Sequence, residues 1–238
     1  MPEAQRFFFV HVMRTGGTTF EQQLRRGFPR AEVYPDPDLD FPGGDIMHHL
    51  EISYLLGLPA ERLAVIRLFY GHFPYVVTEM LGGPLVTLTV LRDPVERTLS
   101  YLRHHRESAP DDGARSLEEI YADPVRIELA RNHMVKMLSL SASEMTEGAL
   151  THIEFTRARL ERAKAALESI DVVGFQEDFE TFCDELTARF GWDLGPPIFM
   201  NRTKPVDVPD DFLARIAEDN ALDIELYEFA RTLRPAHP

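Results

Sequence analysis

Residues near the start of the chain have the types and spacing of a site for an anion. An apolar run over residues 7–13 leads to the cation Arg14, and two glycines and two threonines follow at positions 16–19. The backbone amides of a glycine-rich loop and of the helix N-terminus behind it favour a negatively charged ligand, most often a phosphate. The alternative is a plain strand–turn–helix corner with structural glycines. The stretch is not a Walker A loop, because no Gly-Lys pair occurs in the chain.

A second candidate site follows the clearest apolar strand pattern of the sequence. Arg92 comes directly after that strand, and Asp93 and Pro94 suit the cap and the first turn of a helix predicted over residues 95–105. Ser100 comes about two turns later, roughly 10 Å along the helix axis. Either Arg92 and Ser100 hold one phosphate from two sides, or Arg92 and Asp93 form a salt-bridged strand end with Ser100 on the helix surface.

His72 is the strongest candidate for a general base among the nine histidines. It follows a predicted strand, and an imidazole titrates near neutrality and accepts a proton from an alcohol. A lone histidine is more often a packed or surface residue, so both interpretations stay open at this point. The adjacent pairs His48-His49 and His104-His105 do not face one metal ion on a helix, and no cluster has zinc spacing. We therefore expect no metal site, and keep His48 and His49 as weak candidates for the substrate side.

A third basic group lies in a proline-rich loop predicted over residues 191–208. Arg202 and Lys204 flank Thr203 there, directly after Asn201. In a chain whose net charge is −14, this local positive group suits a phosphate clamp. An ordinary polar loop explains the same residues equally well.

The elements that must position these residues are strands that alternate with helices. Strands are predicted over residues 7–13, 63–70, 85–91 and 171–175. Helices are predicted over residues 19–27, 47–56, 75–81, 95–105, 124–140, 156–169, 178–190 and 209–233, with a further helix N-terminus at Ser116 and an irregular connection over 29–47. The alternation indicates an α/β protein, a P-loop-like three-layer fold with a central, mostly parallel sheet flanked by helices. The ends of the first three strands should then meet in one crevice.

Composition limits the class of protein. The 238 residues suit one domain over residues 1–238, with a helical insert at about 108–165. The net charge of −14 argues against a general binder of nucleic acid or membrane surfaces, and against a highly sulfated polymer as substrate, since all three need a broad basic face. The single cysteine, Cys183, has acidic neighbours that raise a thiol pKa, which favours a packing role. No apolar run has the length of a signal peptide core or a membrane span, and we expect a cytoplasmic protein.

Several of these stretches resemble one family. The residues from His11 to Phe20 resemble the 5′-phosphosulfate loop of sulfotransferases that use 3′-phosphoadenosine 5′-phosphosulfate (PAPS). They look closest to the branch that includes the carbohydrate 2-O-sulfotransferases and many bacterial relatives. The stretch Leu91-Arg92-Asp93-Pro94-Val95-Glu96-Arg97-Thr98-Leu99-Ser100 resembles the 3′-phosphate site of that family, with its eight-residue step from Arg92 to Ser100.

Three shorter stretches are similar to the family in the same order along the chain. Gly71-His72-Phe73-Pro74 resembles the segment that supplies the base histidine. Asn132-His133-Met134-Val135-Lys136-Met137-Leu138 resembles a helix that follows the 3′ site, and Asn201-Arg202-Thr203-Lys204 resembles a late loop that closes over the nucleotide.

The resemblance implies a transferase that moves a sulfuryl group from PAPS, as co-substrate, to a hydroxyl group of a small-molecule or carbohydrate acceptor. The product of the donor would be 3′-phosphoadenosine 5′-phosphate (PAP), His72 would be the general base, and no metal would be needed. The implied nucleotide-binding residues are Arg14, Thr15, Gly16, Gly17, Thr18, Thr19, Arg92, Ser100, Arg202, Thr203 and Lys204. The family usually has Pro-Lys before Thr-Gly-Gly-Thr, whereas this chain has Met13-Arg14. An arginine keeps the positive charge that stabilises the departing phosphate, but it presents a planar fork instead of a compact ammonium.

Two other functions stay open on the sequence. A P-loop-like kinase would transfer a phosphoryl group from ATP, and the missing Gly-Lys pair argues against it. A non-catalytic nucleotide-binding module would keep the nucleotide site while His72 is dispensable. The acceptor is expected between residues 30–58, 104–116 and 140–152, which carry no recognisable code, and no oligomeric state is predicted.

Overall fold

The computed structural model describes residues 5–40, 52–108, 112–145, 151–196 and 207–233. These residues contain a five-stranded sheet in the order β2-β3-β1-β4-β5, in which every neighbouring pair is parallel. The strands are β1 (Phe7–Val10), β2 (Val33–Tyr34), β3 (Leu68–Gly71), β4 (Val86–Leu91) and β5 (Val172–Phe175). Helices cover this sheet, which confirms the predicted α/β architecture with a parallel central sheet.

The helices of the described residues follow the strands in alternation. In chain order they are α1 (Gly17–Leu24), α2 (Pro37–Asp40), α3 (Ile52–Leu56), α4 (Ala60–Val65), α5 (Val77–Leu81), α6 (Pro94–Ser108), α7 (Leu117–Tyr121), α8 (Pro124–Ala130), α9 (His133–Ser139), α10 (Arg157–Ser169), α11 (Phe179–Phe190), α12 (Asp210–Asp219) and α13 (Ala221–Leu233). Two short 3₁₀ turns lie at Arg25–Gly27 and Arg30–Glu32.

Successive residues of β1 bury their side chains on opposite faces of the sheet. Phe7 and Phe9 pack in a cluster with residues of α1 and α11, whereas Phe8 and Val10 pack in a larger cluster with residues of α9, α10 and α13. Because both faces of the sheet are covered, the strand reads as a continuous apolar run. Full burial of each such side chain contributes about 1.5–3 kcal/mol, so the strand that carries the first candidate loop is firmly held.

A third apolar cluster holds α6, the helix that follows the second candidate site. Leu99 and Leu102 of α6 pack there with Ile120 of α7 and Ile216 of α12. At the start of α6, the Asp93 carboxylate accepts a hydrogen bond from the Glu96 amide at 2.9 Å, which is the predicted helix cap. The turn from β4 into α6 is therefore fixed both by packing and by a local cap.

The strand predicted over residues 63–70 begins later than expected. Residues 63–65 complete α4, which starts after Pro59, and the strand itself starts at Leu68. A short apolar run does not distinguish a buried helix end from a strand, so this prediction was wrong at its first half. The sequence also did not indicate β2, which lies inside the connection predicted to be irregular over residues 29–47. The two residues of β2 pair with Leu68 and Phe69 of β3.

Two predicted long helices are each broken in the structure. The segment 124–140 divides into α8 and α9 at Asn132, whose φ is 43°, and the segment 209–233 divides into α12 and α13 at Asn220. The two breaks bind each other, because the Asn132 amide donates to Asn220 Oδ1 at 2.9 Å and Asn132 Nδ2 donates to the Asp219 carbonyl at 2.9 Å. Asparagine side chains compete in this way with the hydrogen bonds of a helix. The spacing of apolar residues does not indicate such a break.

Some predictions lie outside the described residues, among them His48, His49 and the loop with Arg202, Thr203 and Lys204. The single domain with an insert at about 108–165 stays a prediction. No helix in the described ranges has both the length and the apolar character that crossing a membrane requires.

Candidate functional site

The first candidate loop turns sharply between β1 and α1. Arg14 has a φ of 67° and Gly16 a φ of 90°, both in the left-handed region. The Thr15 hydroxyl donates to the Val12 carbonyl at 2.9 Å and is fully buried, so it braces the loop from inside. Of the two glycines in the loop, only Gly16 is left-handed, since Gly17 already has helical backbone.

The N-terminus of α1 has no side-chain cap. Gly16 is its cap residue, and its first turn carries no acidic residue. The Phe20 amide makes the first helical bond, to the Gly16 carbonyl at 3.1 Å, so the amides at positions 17–19 precede that ladder. Thr18 is exposed and Thr19 is half-buried beside them. Such a terminus attracts an anion through its amides and the helix dipole.

The two candidate phosphate motifs meet in the structure. Arg14 Nε donates to Ser100 Oγ at 3.3 Å, across 86 positions of sequence. Arg92 Nη1 donates to the Arg14 carbonyl at 3.3 Å, across 78 positions. The ends of β1 and β4 and the first turns of α6 therefore bring Arg14, Arg92 and Ser100 together, as the convergence of parallel strand ends predicts.

This group, Arg14 with Arg92, concentrates positive charge in partly buried surroundings. Burial lowers the pKa of Arg14, and the neighbouring charge of Arg92 lowers it further. Burial also lowers the pKa of Arg92, against the opposing effect of Glu96, whose carboxylate lies 3.6 Å away. The carboxylate of Glu107 acts in the opposite direction on the pKa of Arg14, as the smallest of the three effects. Two neighbouring cations that have lost part of their hydration favour an anion, which would compensate both effects.

His72 lies half-buried directly after β3, between two residues that fix its backbone. Gly71 has a φ of 143°, and a Cβ there would lie 2.7 Å from the buried ring of Phe73, so only glycine fits. His72 Nδ1 lies 3.0 Å from the His11 carbonyl oxygen. Because a carbonyl only accepts, this bond places a proton on Nδ1 of the neutral ring and leaves Nε2 as the proton acceptor.

Helix α9 packs behind the His72 loop. The Tyr75 amide donates to the Met137 carbonyl at 2.9 Å, which ties that loop to α9. At the other end of α9, the buried Asp223 carboxylate accepts from the amides of Met134 at 3.0 Å and Val135 at 2.8 Å. His133 is fully buried, and burial, followed by the charge of Arg97, holds its pKa well below the usual range. A neutral His133 is therefore part of the packing behind the site.

Sequence reasoning missed two contributors to this arrangement. Asp223 lies in the segment predicted as a helix over residues 209–233, and its side chain is fully buried. His11 was read only as part of a motif, yet its ring lies 4.2 Å from the His72 ring, centroid to centroid. An aromatic run that ends in a histidine, directly before a glycine-rich loop, is the one local signal that marks His11.

Other candidates of the sequence lie elsewhere or are inert. Cys183 packs against the cluster on the α1 and α11 face, and burial, ahead of Asp184 and Glu180, raises its pKa to about 12. A thiol of that pKa is not a nucleophile at neutral pH. The described ranges contain no group of three or more histidine, cysteine or carboxylate side chains that could hold a metal ion.

Two known proteins are similar to this chain, one in sequence and one in structure. The human protein described as heparan-sulfate 6-O-sulfotransferase 1 is 26% identical in sequence, over 94% of this chain and 64% of its own length. The chain thus spans less than two thirds of the curated relative that it matches. A solved structure, described as the sulfotransferase from Alicyclobacillus acidocaldarius, is 17% identical with a TM-score of 0.45, covering 93% of this chain and 96% of that one. No protein-family model matches. The chain is therefore similar to a curated sulfotransferase over nearly all of its own length, which supports the resemblance found in the sequence.

Proposed function

We propose that this protein is a sulfotransferase that moves a sulfuryl group from PAPS to a hydroxyl group of a small-molecule or carbohydrate acceptor. One observation carries the proposal: Arg14, Ser100 and Arg92 form a single group beside the N-terminus of α1, which no side chain caps. The curated relative supports the same class of reaction through its name.

The basic group fits a donor with two phosphate positions. The amides at 17–19 and the Arg14 guanidinium would hold the 5′-phosphate, because no side chain caps the start of α1 and Arg14 lies in the loop directly before it. Arg92 and Ser100 would hold the 3′-phosphate, which distinguishes PAPS from ordinary adenine nucleotides. Arg202, Thr203 and Lys204 are proposed to close over the nucleotide on the strength of the motif alone.

His72 is proposed to take the proton from the acceptor hydroxyl at Nε2. The bond from Nδ1–H to the His11 carbonyl fixes the tautomer that this role requires. In the transfer, the S–O bond to the 5′-phosphate breaks, a new S–O bond forms to the acceptor oxygen, and PAP leaves. Arg14 and the α1 amides would stabilise the charge that develops on the departing phosphate, which is electrostatic catalysis by groups already in place.

The test replaces His72 by Gln, which keeps a polar side chain and removes the base. We expect turnover with PAPS to fall by about 10²- to 10⁴-fold, the usual range for a general base, while PAP binding stays within about threefold. PAP and ATP titrations of the wild-type protein, and a mass-spectrometric screen of hydroxylated acceptors with PAPS, complete the experiment. Near-normal turnover of the variant would remove His72 as the base, and a preference for ATP over PAP would favour the kinase alternative.

A further inference from the structure

We propose that His11 is a positioning residue whose ring face holds the His72 imidazole in its working orientation, and that position 17 is glycine to make room for that ring. The kinetic consequence rests on the proposed function, whereas the geometric statement does not.

His11 contacts His72 through two different groups. Its carbonyl oxygen accepts the Nδ1–H bond at 3.0 Å, and its ring lies 4.2 Å from the His72 ring with an angle of 34° between the planes. The carbonyl alone fixes one atom and leaves the His72 ring free to tilt about that bond. The flat face of His11 limits that tilt, so both contacts are needed to define the position of Nε2.

The His11 ring is itself firmly held. It stacks on the buried ring of Phe9, with centroids 5.4 Å apart and planes 19° apart, and only 5% of the residue is exposed. Phe9 belongs to β1 and is fully buried between β3 and β4. The orientation of His72 is therefore fixed by contacts with the central strand of the sheet as well as by its own loop.

Gly17 completes the arrangement from the side of the phosphate loop. A Cβ at this position would lie 2.0 Å from both Cδ2 and Nε2 of His11, far closer than side-chain atoms approach. The backbone of Gly17 is helical, so the position requires glycine for space and not for a left-handed φ. The His11 ring thus occupies the space that a Cβ of residue 17 would need. The ring therefore contacts both His72 and Gly17, the first residue of α1.

Two roles for the His11 ring make different predictions. If its flat face positions His72, phenylalanine replaces it and leucine, with similar volume but no flat face, does not. If a ring nitrogen of His11 acts chemically, phenylalanine and leucine fail alike. Both replacement side chains are apolar and fill the volume of the histidine side chain, so neither variant opens a cavity beside Phe9.

The first experiment needs no turnover. Long-range ¹H–¹⁵N NMR spectra of the histidine rings report the tautomer of His72, whose signals are assigned with His72→Gln. We expect the Nδ1–H tautomer in the wild-type protein and in His11→Phe. In His11→Leu we expect a mixture of tautomers, because a ring that is free to tilt loses the bond to the residue 11 carbonyl for part of the time. An unchanged single tautomer in His11→Leu would overturn the proposal, whether or not the protein transfers sulfate.

The second experiment measures kcat and PAP affinity for the same variants. A misplaced base should lower kcat by about 10- to 100-fold in His11→Leu with PAP affinity within about threefold, and His11→Phe should stay within about threefold of wild type. Equal losses of kcat and PAP affinity in His11→Leu would assign the ring to the donor site instead. A wild-type protein without sulfotransfer would contradict the proposed function and leave the NMR result to decide the present inference.

Gly17→Ala supplies a coupled test. The added methyl group should displace the His11 ring and lower kcat, and the loss should be smaller when the same change is made in a His11→Ala background, where the space is free. Residues in contact show such coupling, typically about 0.5–3 kcal/mol or twofold to more than a hundredfold. Additive effects of Gly17→Ala and His11→Ala on kcat would contradict the contact that the proposal requires.

Discussion

At the scale of single residues, Arg92 is the group expected to distinguish nucleotides. It lies at the end of β4, half-buried, with its Nη1 on the Arg14 carbonyl at 3.3 Å and Glu96 at 3.6 Å. These two contacts hold the guanidinium beside Arg14. The proposed 3′-phosphate is therefore read by a cation that the fold has already oriented.

Replacing Arg92 by Ala should abolish the preference for PAP over adenosine 5′-phosphate. A charge-assisted hydrogen bond contributes about 1.5–3 kcal/mol, which corresponds to a loss of about 10- to 150-fold in PAP affinity and little change for the monophosphate. Titration calorimetry with both nucleotides measures this difference. Arg189→Ala is the matched control, since Arg189 is exposed and binds the Asp171 carbonyl before β5, at the opposite end of the sheet. Equal weakening of both nucleotides by Arg92→Ala would contradict the assignment.

Arg14 is expected to bind Ser100 and a phosphate at the same time, through different nitrogens of its guanidinium. Its Nε is engaged with Ser100 at 3.3 Å, which leaves the two terminal nitrogens for a phosphate. A lysine ammonium at this position reaches either Ser100 or the phosphate, so Arg14→Lys should lower kcat about tenfold and weaken PAP binding a few-fold. Steady-state kinetics with the PAPS concentration varied separate the two effects. Faster turnover of Arg14→Lys at unchanged affinity would show instead that the native arginine is a compromise.

At the scale of elements, the helix break at Asn132 decides where α9 begins and thereby what supports the His72 loop. Asn132, Asn220 and Asp223 bind across the two breaks, since Asn132 Oδ1 also accepts from the Asp223 amide at 3.0 Å. The Asp223 carboxylate then caps α9. The position of α9 depends on this buried polar group as much as on apolar packing.

Asp223 should make the stability of the fold depend on pH in a distinctive direction. Burial, opposed by Arg97 and the two amides, raises its pKa from 3.8 to about 6. The folded state then binds the proton on Asp223 more tightly than the unfolded state does. The resulting contribution to the free energy of unfolding is complete below pH 3.8 and is lost as pH rises through about 6. The loss amounts to about 3 kcal/mol at most.

Urea unfolding of the wild-type protein and of Asp223→Asn between pH 3.5 and pH 7.5 measures this contribution. The variant has no titrating group at position 223, so the free energy of unfolding of the wild type should fall relative to the variant across that window. The contributions of the other carboxylates to the free energy of unfolding are the same in both proteins and cancel in the difference between them. A difference that is constant with pH, or that grows as pH rises, would contradict the raised pKa.

At the scale of the whole molecule, charge is the main guide to the acceptor. The chain carries a net charge of −14, and its basic group at the site is local. The curated relative is named for heparan sulfate, a polymer, but this chain spans only 64% of that relative. An acidic surface repels a polyanion, so we expect a small, weakly charged acceptor.

This expectation can be tested with labelled PAPS. Transfer to small saccharides and hydroxylated metabolites should exceed transfer to heparan sulfate by at least about tenfold at low ionic strength, where repulsion between the polymer and the acidic surface is strongest. Raising the salt concentration should reduce the difference in transfer rate between the small acceptors and heparan sulfate. Efficient transfer to heparan sulfate at low salt would show that a local groove outweighs the net charge.

The sequence by itself determined the features that depend on neighbouring residues. The apolar run of β1, the glycine-rich turn after it, and the Asp93-Pro94 start of α6 are local patterns with local causes. The alternation of strands and helices indicated the parallel sheet, and parallel strands bring their ends to one edge. That rule predicted that Arg14 and Arg92 meet in one crevice, whereas the sequence left the position of Ser100 open.

Only the tertiary structure decided the features that join distant positions. The bond from His72 to His11 spans 61 positions, and the bond from Asn132 to Asn220 spans 88. Neither a propensity nor a period of hydrophobicity carries information about such pairs, because each residue alone reads as an ordinary polar residue. The same reason hid the role of Gly17: its missing Cβ matters only because the ring of His11 lies where that atom would be. Close packing of side chains from separate elements, and not the local pattern, fixes the position of the proposed base.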